Sequence, residues 1–284
     1  MRVTCSLPMS PLDSSDELHQ RVERYYDAVP RARSAVEEVG PFTLFVATHG
    51  WPYYARPRLG GSGAFTVDDV RAVLDRQAEL GVPRSIEWMH DVTPELLDVA
   101  RDAGMTVAVC PLLVLDGEPR GDAPNARMLA ADDIDTATLS RAAVWVGFGN
   151  PGTATGPPGL PERDAAAAER PAPLDPATVD GIRSGRRGHA AAYDPDAPEL
   201  GPVGGGSFTA VDDVAELTGI AVLPTYRRRG LAAQLTKVMA DAARAHGVTT
   251  VFCSAQNDDV ARVYEGISFR RVATACIAEV PADR

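Results

Sequence analysis

Lysine is almost missing from this chain. Of 284 residues only Lys237 is one, and all other members of the 28 basic side chains are arginine. Acidic residues number 39, so the formal net charge is -11. An acidic chain of this kind lacks the broad basic face that displaces counterions from a nucleic acid, and no nucleic-acid partner is expected. Arginine without lysine, beside abundant alanine, proline and glycine, reads as the codon usage of a GC-rich bacterial genome. Position, not abundance, must therefore argue for any arginine chemistry.

Cysteine is scarce too. Cys5, Cys110, Cys253 and Cys276 form no close pair and no zinc-like spacing, and three of them sit in apolar segments as small core residues. His49 and His90 lack partners at ligand spacing, so no metal is expected. Long apolar runs are absent. The best, VAVCPLLVL from Val107, is far too short to cross a bilayer, and the opening MRVTCSLPMSPLDSSDE has no continuous apolar core, so neither membrane anchoring nor export is expected. The expected location is the cytoplasm.

What is present is enough chain for two modest domains and a core in each. The first half reads as a helix over 14–39, a strand FTLFVAT, a Gly/Pro-rich loop over 49–63 and a helix over 66–80. Strand SIEWMH, helix PELLDVARDAG and strand MTVAVCPLLVL follow. A linker is expected near 119–125, dividing a domain 1–118 from a domain 126–284. The second half reads as strand ARMLAA, a helix over 135–149, an irregular stretch over 150–176 with one short helical piece, and strand HAAAYD. A hairpin turning at Asp212-Asp213, a helix over 230–246, strand TTVFCSA, helix DDVARVYEG and strand FRRVATACIAEV complete it. The two halves repeat the order helix, Gly, strand, Asp or Asn, helix, strand, with Gly81 matching Gly247 and Asp91 matching Asn257. The order and the turn residues favour a duplication.

The segment LPTYRRRGLA, Leu223 to Ala232, carries the chemistry. A β-rich run ends at Pro224, a basic turn follows, and Gly230 opens a strong helix former. A helix N-terminus presents unpaired N–H groups and the positive end of the dipole, which together suit an anion. Glycine lets a phosphate approach the backbone, and arginine adds bidentate donors. The pattern lacks the Gly-Lys-Ser/Thr of a P-loop and the three glycines of a dinucleotide fingerprint.

Arg227-x-x-Gly230-x-Ala232, preceded by Val222-x-Pro224 and followed by Asn257, Ala261, Tyr264 and Phe269, resembles the GNAT superfamily of N-acetyltransferases. The resemblance covers about 125–280. It implies an α/β (α+β) fold with a mixed central twisted sheet flanked by helices, here as two GNAT-like domains in tandem, the first degenerate. It also implies acetyl-CoA as co-substrate. Backbone groups of Ile220, Ala221 and Val222 would meet the pantetheine arm, and Arg227, Arg228, Arg229, Gly230, Leu231, Ala232 and Ala233 would hold the pyrophosphate. Asn257 would contact the cofactor near the thioester, Tyr264 would protonate the departing thiolate, and Glu216 would act as general base. The N–H of Val222 would meet the oxyanion. Period-two alternation puts Glu216, Thr218, Ile220 and Val222 on one face unless a bulge intervenes.

Ser268 stands where the family has glycine before Phe269, and the glycine is Gly266 instead, whose early end to the helix would leave the placement of Tyr264 open by about a turn. The run Gly204 to Gly206 marks close backbone approach rather than a phosphate loop. In the first half, YYARPRLGG takes the place of YRRRG, Pro57 removes a backbone donor there, and Ala100 falls near the position of Tyr264. Trp51, Tyr53 and Tyr54 read as core aromatics, with the lining of a pocket as the alternative. That half is expected to be structural, shaping the acceptor pocket or completing a shared sheet. The expected activity is acetyl transfer to a primary amine of a small molecule by direct attack in a ternary complex, in a monomer or homodimer. A non-catalytic CoA-binding or scaffold protein is the alternative.

Overall fold

The computed structural model describes residues 15–48, 52–61, 63–169 and 175–281. Its first half runs through helix α1 (Ser15–Arg31), strands β1 (Ser34–Val39), β2 (Phe42–Ala47) and β3 (Arg56–Pro57), helix α2 (Val67–Glu79), strand β4 (Ser85–Met89), helix α3 (Leu96–Asp102) and strand β5 (Thr106–Leu115). The second half adds strand β6 (Ala126–Met128), helices α4 (Ile134–Phe148), α5 (Leu160–Glu169) and α6 (Pro176–Arg183), and strands β7 (Arg187–Tyr193), β8 (Pro202–Val211) and β9 (Val214–Val222). Helix α7 (Leu231–Ala245), strand β10 (Thr250–Ser254), helix α8 (Asp258–Glu265) and strand β11 (Phe269–Glu279) follow.

Local signals explain most of these boundaries. Thr66 caps α2 through a full capping box with Asp69. Asp175 caps α6, with Pro176 in the first turn. The hairpin turns at Asp212, whose φ of 52° is left-handed, as the two-residue connection requires. Two expectations need correction. The helix expected over 14–39 ends at Arg31, where Pro30 closes its last turn, and Ser34–Val39 pairs along its whole length with β2 instead. Helix α6 follows the irregular stretch, where no element was expected before HAAAYD.

Eight strands form one mixed sheet in the order β4-β11-β5-β10-β9-β8-β7-β6, antiparallel throughout except for the β10–β9 pair. Each half lends its last strand to the other. Strand β5 lies between β10 and β11, and β11 lies between β4 and β5. The cores follow the exchange. Leu113 and Leu115 of β5 pack with the second-half core, while Cys276 and Ala278 of β11 pack with the first-half core of Phe42, Val73 and Trp88. Helix α1 covers the junction, where Val22, Tyr25 and Tyr26 pack on Leu112, Val214 and Phe252. The first half therefore does complete a shared sheet. Cys110, Cys253 and Cys276 are buried and unpaired, as core residues should be.

Strands β1, β2 and β3 form a separate antiparallel sheet, tied to β4 by a parallel bridge between Ala55 and Ile86. That bridge mirrors the parallel pairing of Ala215 with Val251. The next residue in each half occupies the equivalent position, so Arg56 stands in the first half where Glu216 stands in the second. The match between YYARPRLGG and the arginine turn is thereby corrected. Arg56 and Pro57 form a strand opposite Thr43 and Phe42, and Pro57 lies in no phosphate loop.

The triple glycine serves close packing. A Cβ at Gly206 would lie 2.7 Å from Met239 of α7, one at Gly204 2.8 Å from the Ala221 carbonyl, and one at Gly205 would collide with Ser140 of α4. Helices press on both faces of β8, and only glycine admits them.

Candidate active site

The site begins where two strands part. Strands β9 and β10 pair only from Val214–Thr250 to Glu216–Phe252. Beyond Glu216, β9 continues to Val222, while Cys253 and Ser254 turn their pairing to β5. The edge of β9 from Leu217 onward faces a wedge-shaped gap. Within it the ladder to β8 shifts, with Thr218 opposite Ser207 but Ala221 opposite Gly205. Gly219, at φ 63°, supplies the left-handed residue of this bulge. The extra residue breaks the simple alternation. Glu216, Thr218 and Ala221 share one face, whereas Leu217, Ile220 and Val222 join the α7 core. The Leu223 N–H bonds to Val203, so ladder alternation turns the N–H and carbonyl of Val222 into the gap.

That carbonyl is already taken. Arg227 Nε donates to it at 3.1 Å, and the same guanidinium donates to the carbonyls of Gly147 at 2.9 Å, Asn150 at 2.6 Å and Ala154 at 3.1 Å. Gly147 and Asn150 lie at the C-terminal end of α4, the negative end of its dipole. Arg227 staples α4 to the turn, committing four of its five N–H donors to backbone carbonyls. Thr225 fastens the turn from the other side, its N–H donating to the Pro158 carbonyl and its single hydroxyl proton shared among the carbonyls of Gly156, Pro157 and Pro158. Arg229 is held by Asp194 at 2.9 Å. Arg228 and Gly230 both adopt left-handed backbone, at φ 65° and 73°, which curls the chain so that α7 starts with its first-turn amides outward. The N–H groups of Leu231, Ala232 and Ala233 have no acceptor within the helix. Arg227 and Arg229 are thus engaged within the fold, while Arg228 is exposed beside the first-turn amides of α7.

Glu216 sits at the apex of the gap. The Tyr26 hydroxyl donates to its Oε1 at 3.4 Å, and the Tyr25 hydroxyl donates to the carbonyl of Thr209, its cross-strand neighbour, at 2.9 Å. Both rings meet Phe252 edge-on. Behind Tyr26 lies Arg56, only 5% exposed, with its guanidinium 3.9 Å over the ring centre and paired to Glu87 and, at 3.9 Å, to Glu23. Two carboxylates thus flank one buried guanidinium, whose charge also reaches Glu216. Burial, aided by Glu87 and opposed by Arg56 and Tyr26, pushes the Glu216 carboxyl up to about 8. Burial likewise raises Glu23.

Tyr264, on α8, is 5% exposed and its ring lies 6.1 Å from that of Phe269. Burial, and then Cys253, hold its phenol well above the ordinary range, so it stays protonated. Ser268, at φ 85°, takes the left-handed turn expected of a glycine. Asn257 caps α8, its Oδ1 accepting from the Val260 N–H at 3.0 Å. The structure brings Glu216, Ile220 to Val222 and the start of α7 along one gap.

Sequence reasoning missed the groups around Glu216. Tyr25, Tyr26, Arg56 and Glu87 come from the half expected to be structural. The only signal was the repeat itself, read at the wrong register. His189 and Arg187 of β7 were missed as well. His49 and Trp51 lie outside the described residues, and Tyr53 and Tyr54 are half-buried rather than core.

Residues 163–269 match the family model described as "Acetyltransferase (GNAT) family". No curated protein matches the chain. Among solved structures, a GCN5-related N-acetyltransferase from Kribbella flavida is similar over 94% of this chain and 96% of its own, with a TM-score of 0.63 at 19% identity. A protein assigned to the GNAT family from Novosphingobium aromaticivorans is similar over 95% and 100%, with a TM-score of 0.52 at 16% identity. A functionally unknown conserved protein from Staphylococcus epidermidis is similar over 87% and 92%, with a TM-score of 0.51 at 12% identity. These likenesses span both halves, so the two-half fold recurs as a unit.

Proposed function

We propose, on the match of residues 163–269 to the GNAT acetyltransferase family model, that the chain moves an acetyl group from acetyl-CoA to a primary amine of a small molecule. The observation that carries this reading is the open wedge between β9 and β10, with Glu216 at its apex and the bare amides of α7 at its mouth. The pantetheine arm lies along Ile220, Ala221 and Val222 as an extra strand, and the pyrophosphate rests on the amides from Arg228 to Ala233. Asn257 completes the contact near the thioester.

The amine arrives as an ammonium ion and loses its proton to Glu216, whose raised affinity for protons suits it to that exchange near neutral pH. Direct attack on the thioester carbonyl forms the C–N bond, while the N–H of Val222 meets the oxyanion. Collapse breaks the C–S bond, Tyr264 gives its proton to the departing thiolate, and the nitrogen sheds its second proton to the Tyr264 phenolate, which leaves a neutral amide and restores the phenol. Arg227 acts at one remove by fixing the turn.

Calorimetric titration with acetyl-CoA tests the reading. One site per chain, lost in Gly230→Glu, is expected. Thiol release with a panel of amines follows, and it should fall with Glu216→Gln. Full turnover in that variant would remove Glu216 from the chemistry. Binding without turnover of any amine would leave a CoA-binding protein without catalysis.

A further inference from the structure

The face of the sheet that carries Glu216 is open. Thr218 is exposed although β9 lies in the interior of an eight-stranded sheet, and its hydroxyl lies 3.1 Å from that of Ser207. Two cross-strand rows floor this opening. One runs from Arg187 through Thr209 to Glu216, the other from His189 through Ser207 to Thr218. Side chains opposite one another in a ladder share a face, so Arg187 and Glu216 stand on the same side, about 10 Å apart at the backbone.

Arg187 is half-buried yet makes no hydrogen bond or ion pair with any described residue. Its neighbour Arg33 is held by Asp175 at 3.3 Å and Thr178 at 3.2 Å. The stem of Arg187 lies against Gly181 of α6, where a Cβ would approach its Cδ to 2.8 Å and its Cγ to 2.9 Å. The structure thus fixes the stem, and the nearby carboxylate of Asp175 is already taken by Arg33, which leaves the Arg187 guanidinium with no direct ion pair. Burial and the charge of Arg33 both disfavour the cation there, a penalty an incoming anion would remove. The other groups near it are Tyr25, Tyr53, Asp175 and His189. His189 is kept neutral by burial and by Arg141 and Arg187.

We infer that the acceptor carries a carboxylate as well as its amine, the carboxylate seated on Arg187 while the amine reaches Glu216 at the other end of the row. This assignment rests on the acyltransferase reading and narrows its substrate to amino carboxylates, ahead of plain amines and polyamines. A lone guanidinium receives a carboxylate in a bidentate pair, and removing one partner from such a pair is costly because the other stays desolvated.

The test is ligand-observed NMR on the full chain saturated with CoA. The probes are unbranched amino acids from 3-aminopropanoate to 8-aminooctanoate, each beside its own amide. Expected is at least about tenfold tighter binding of the acid than of the amide for the member whose length fits, and loss of that difference in Arg187→Met, which keeps the stem against Gly181. Equal binding of acid and amide, a preference that survives Arg187→Met, or no binding of any member at millimolar concentration overturns the inference. Calorimetry with acetyl-CoA on the same samples separates the two claims. Cofactor binding without a carboxylate preference sinks only this inference, whereas absence of cofactor binding sinks the acyltransferase reading.

Discussion

The Glu216 carboxyl gains protons more readily in the folded chain than in the unfolded one, because burial and Glu87 outweigh Arg56 and Tyr26. Two consequences can be measured. As a base it works when deprotonated, so kcat/KM should rise through about pH 8, and Tyr26→Phe, which removes a donor to the carboxylate, should move that rise to higher pH. Glu216→Gln should lower kcat by roughly 10²–10⁴-fold and flatten the profile. Stability follows the same linkage. A carboxyl with a raised folded pKa contributes stability below its unfolded value, and that contribution is lost as pH climbs to about 8. Denaturation at pH 9 should therefore find Glu216→Gln more stable than the parent chain, with the difference gone by pH 4. His189 acts in the opposite sense. Its folded pKa is depressed to about 4, so its contribution is full above the unfolded value and fades as pH falls toward 4.

At the scale of elements, the turn before α7 depends on Arg227. Four carbonyls on two segments accept from one guanidinium, so Arg227→Ala frees the end of α4 and the 147–154 chain together. We expect a stability loss on the order of 2–4 kcal/mol and a KM for acetyl-CoA raised by more than tenfold. Arg227→Lys should recover little of either, since a single ammonium cannot span the same acceptors. Helix α1 tests the other side of the site. Val22 is fully buried at the strand junction. Truncating it to Ala should cost about 1–3 kcal/mol and, by loosening Tyr25 and Tyr26, should lower kcat more than it weakens acetyl-CoA binding.

For the whole molecule, the exchange of β5 and β11 binds the halves into one cooperative unit. Residues 126–284 expressed alone would lack β5 between β10 and β11, and would leave long apolar edges and the place of Leu113 and Leu115 open. That fragment should aggregate, whereas a chain cleaved within 116–125 should stay associated and melt in a single transition. Calorimetric and van't Hoff enthalpies that agree for the intact chain would match this picture; two separated transitions would contradict it.

The sequence by itself determined what local chemistry can write. The turn at Arg227 to Ala232 needs a left-handed glycine ahead of a strong helix former, and that need is visible in ten residues. The alternating strands, the Asp212 turn and the caps of α2 and α8 are equally short-range. The tertiary structure decided what depends on register and on partners far along the chain. The bulge at Gly219 turned Ile220 and Val222 off the face of Glu216, although alternation alone would keep them together. Arg227 looked like a phosphate ligand until its carbonyl partners, up to 80 residues distant, were in place. Arg56 became a neighbour of Glu216 only because two halves share one sheet, with a helix from the first laid over the strands of the second. Local propensity fixes elements; which charge ends up beside which carboxylate is set by strand exchange and packing, and no window of sequence contains that information.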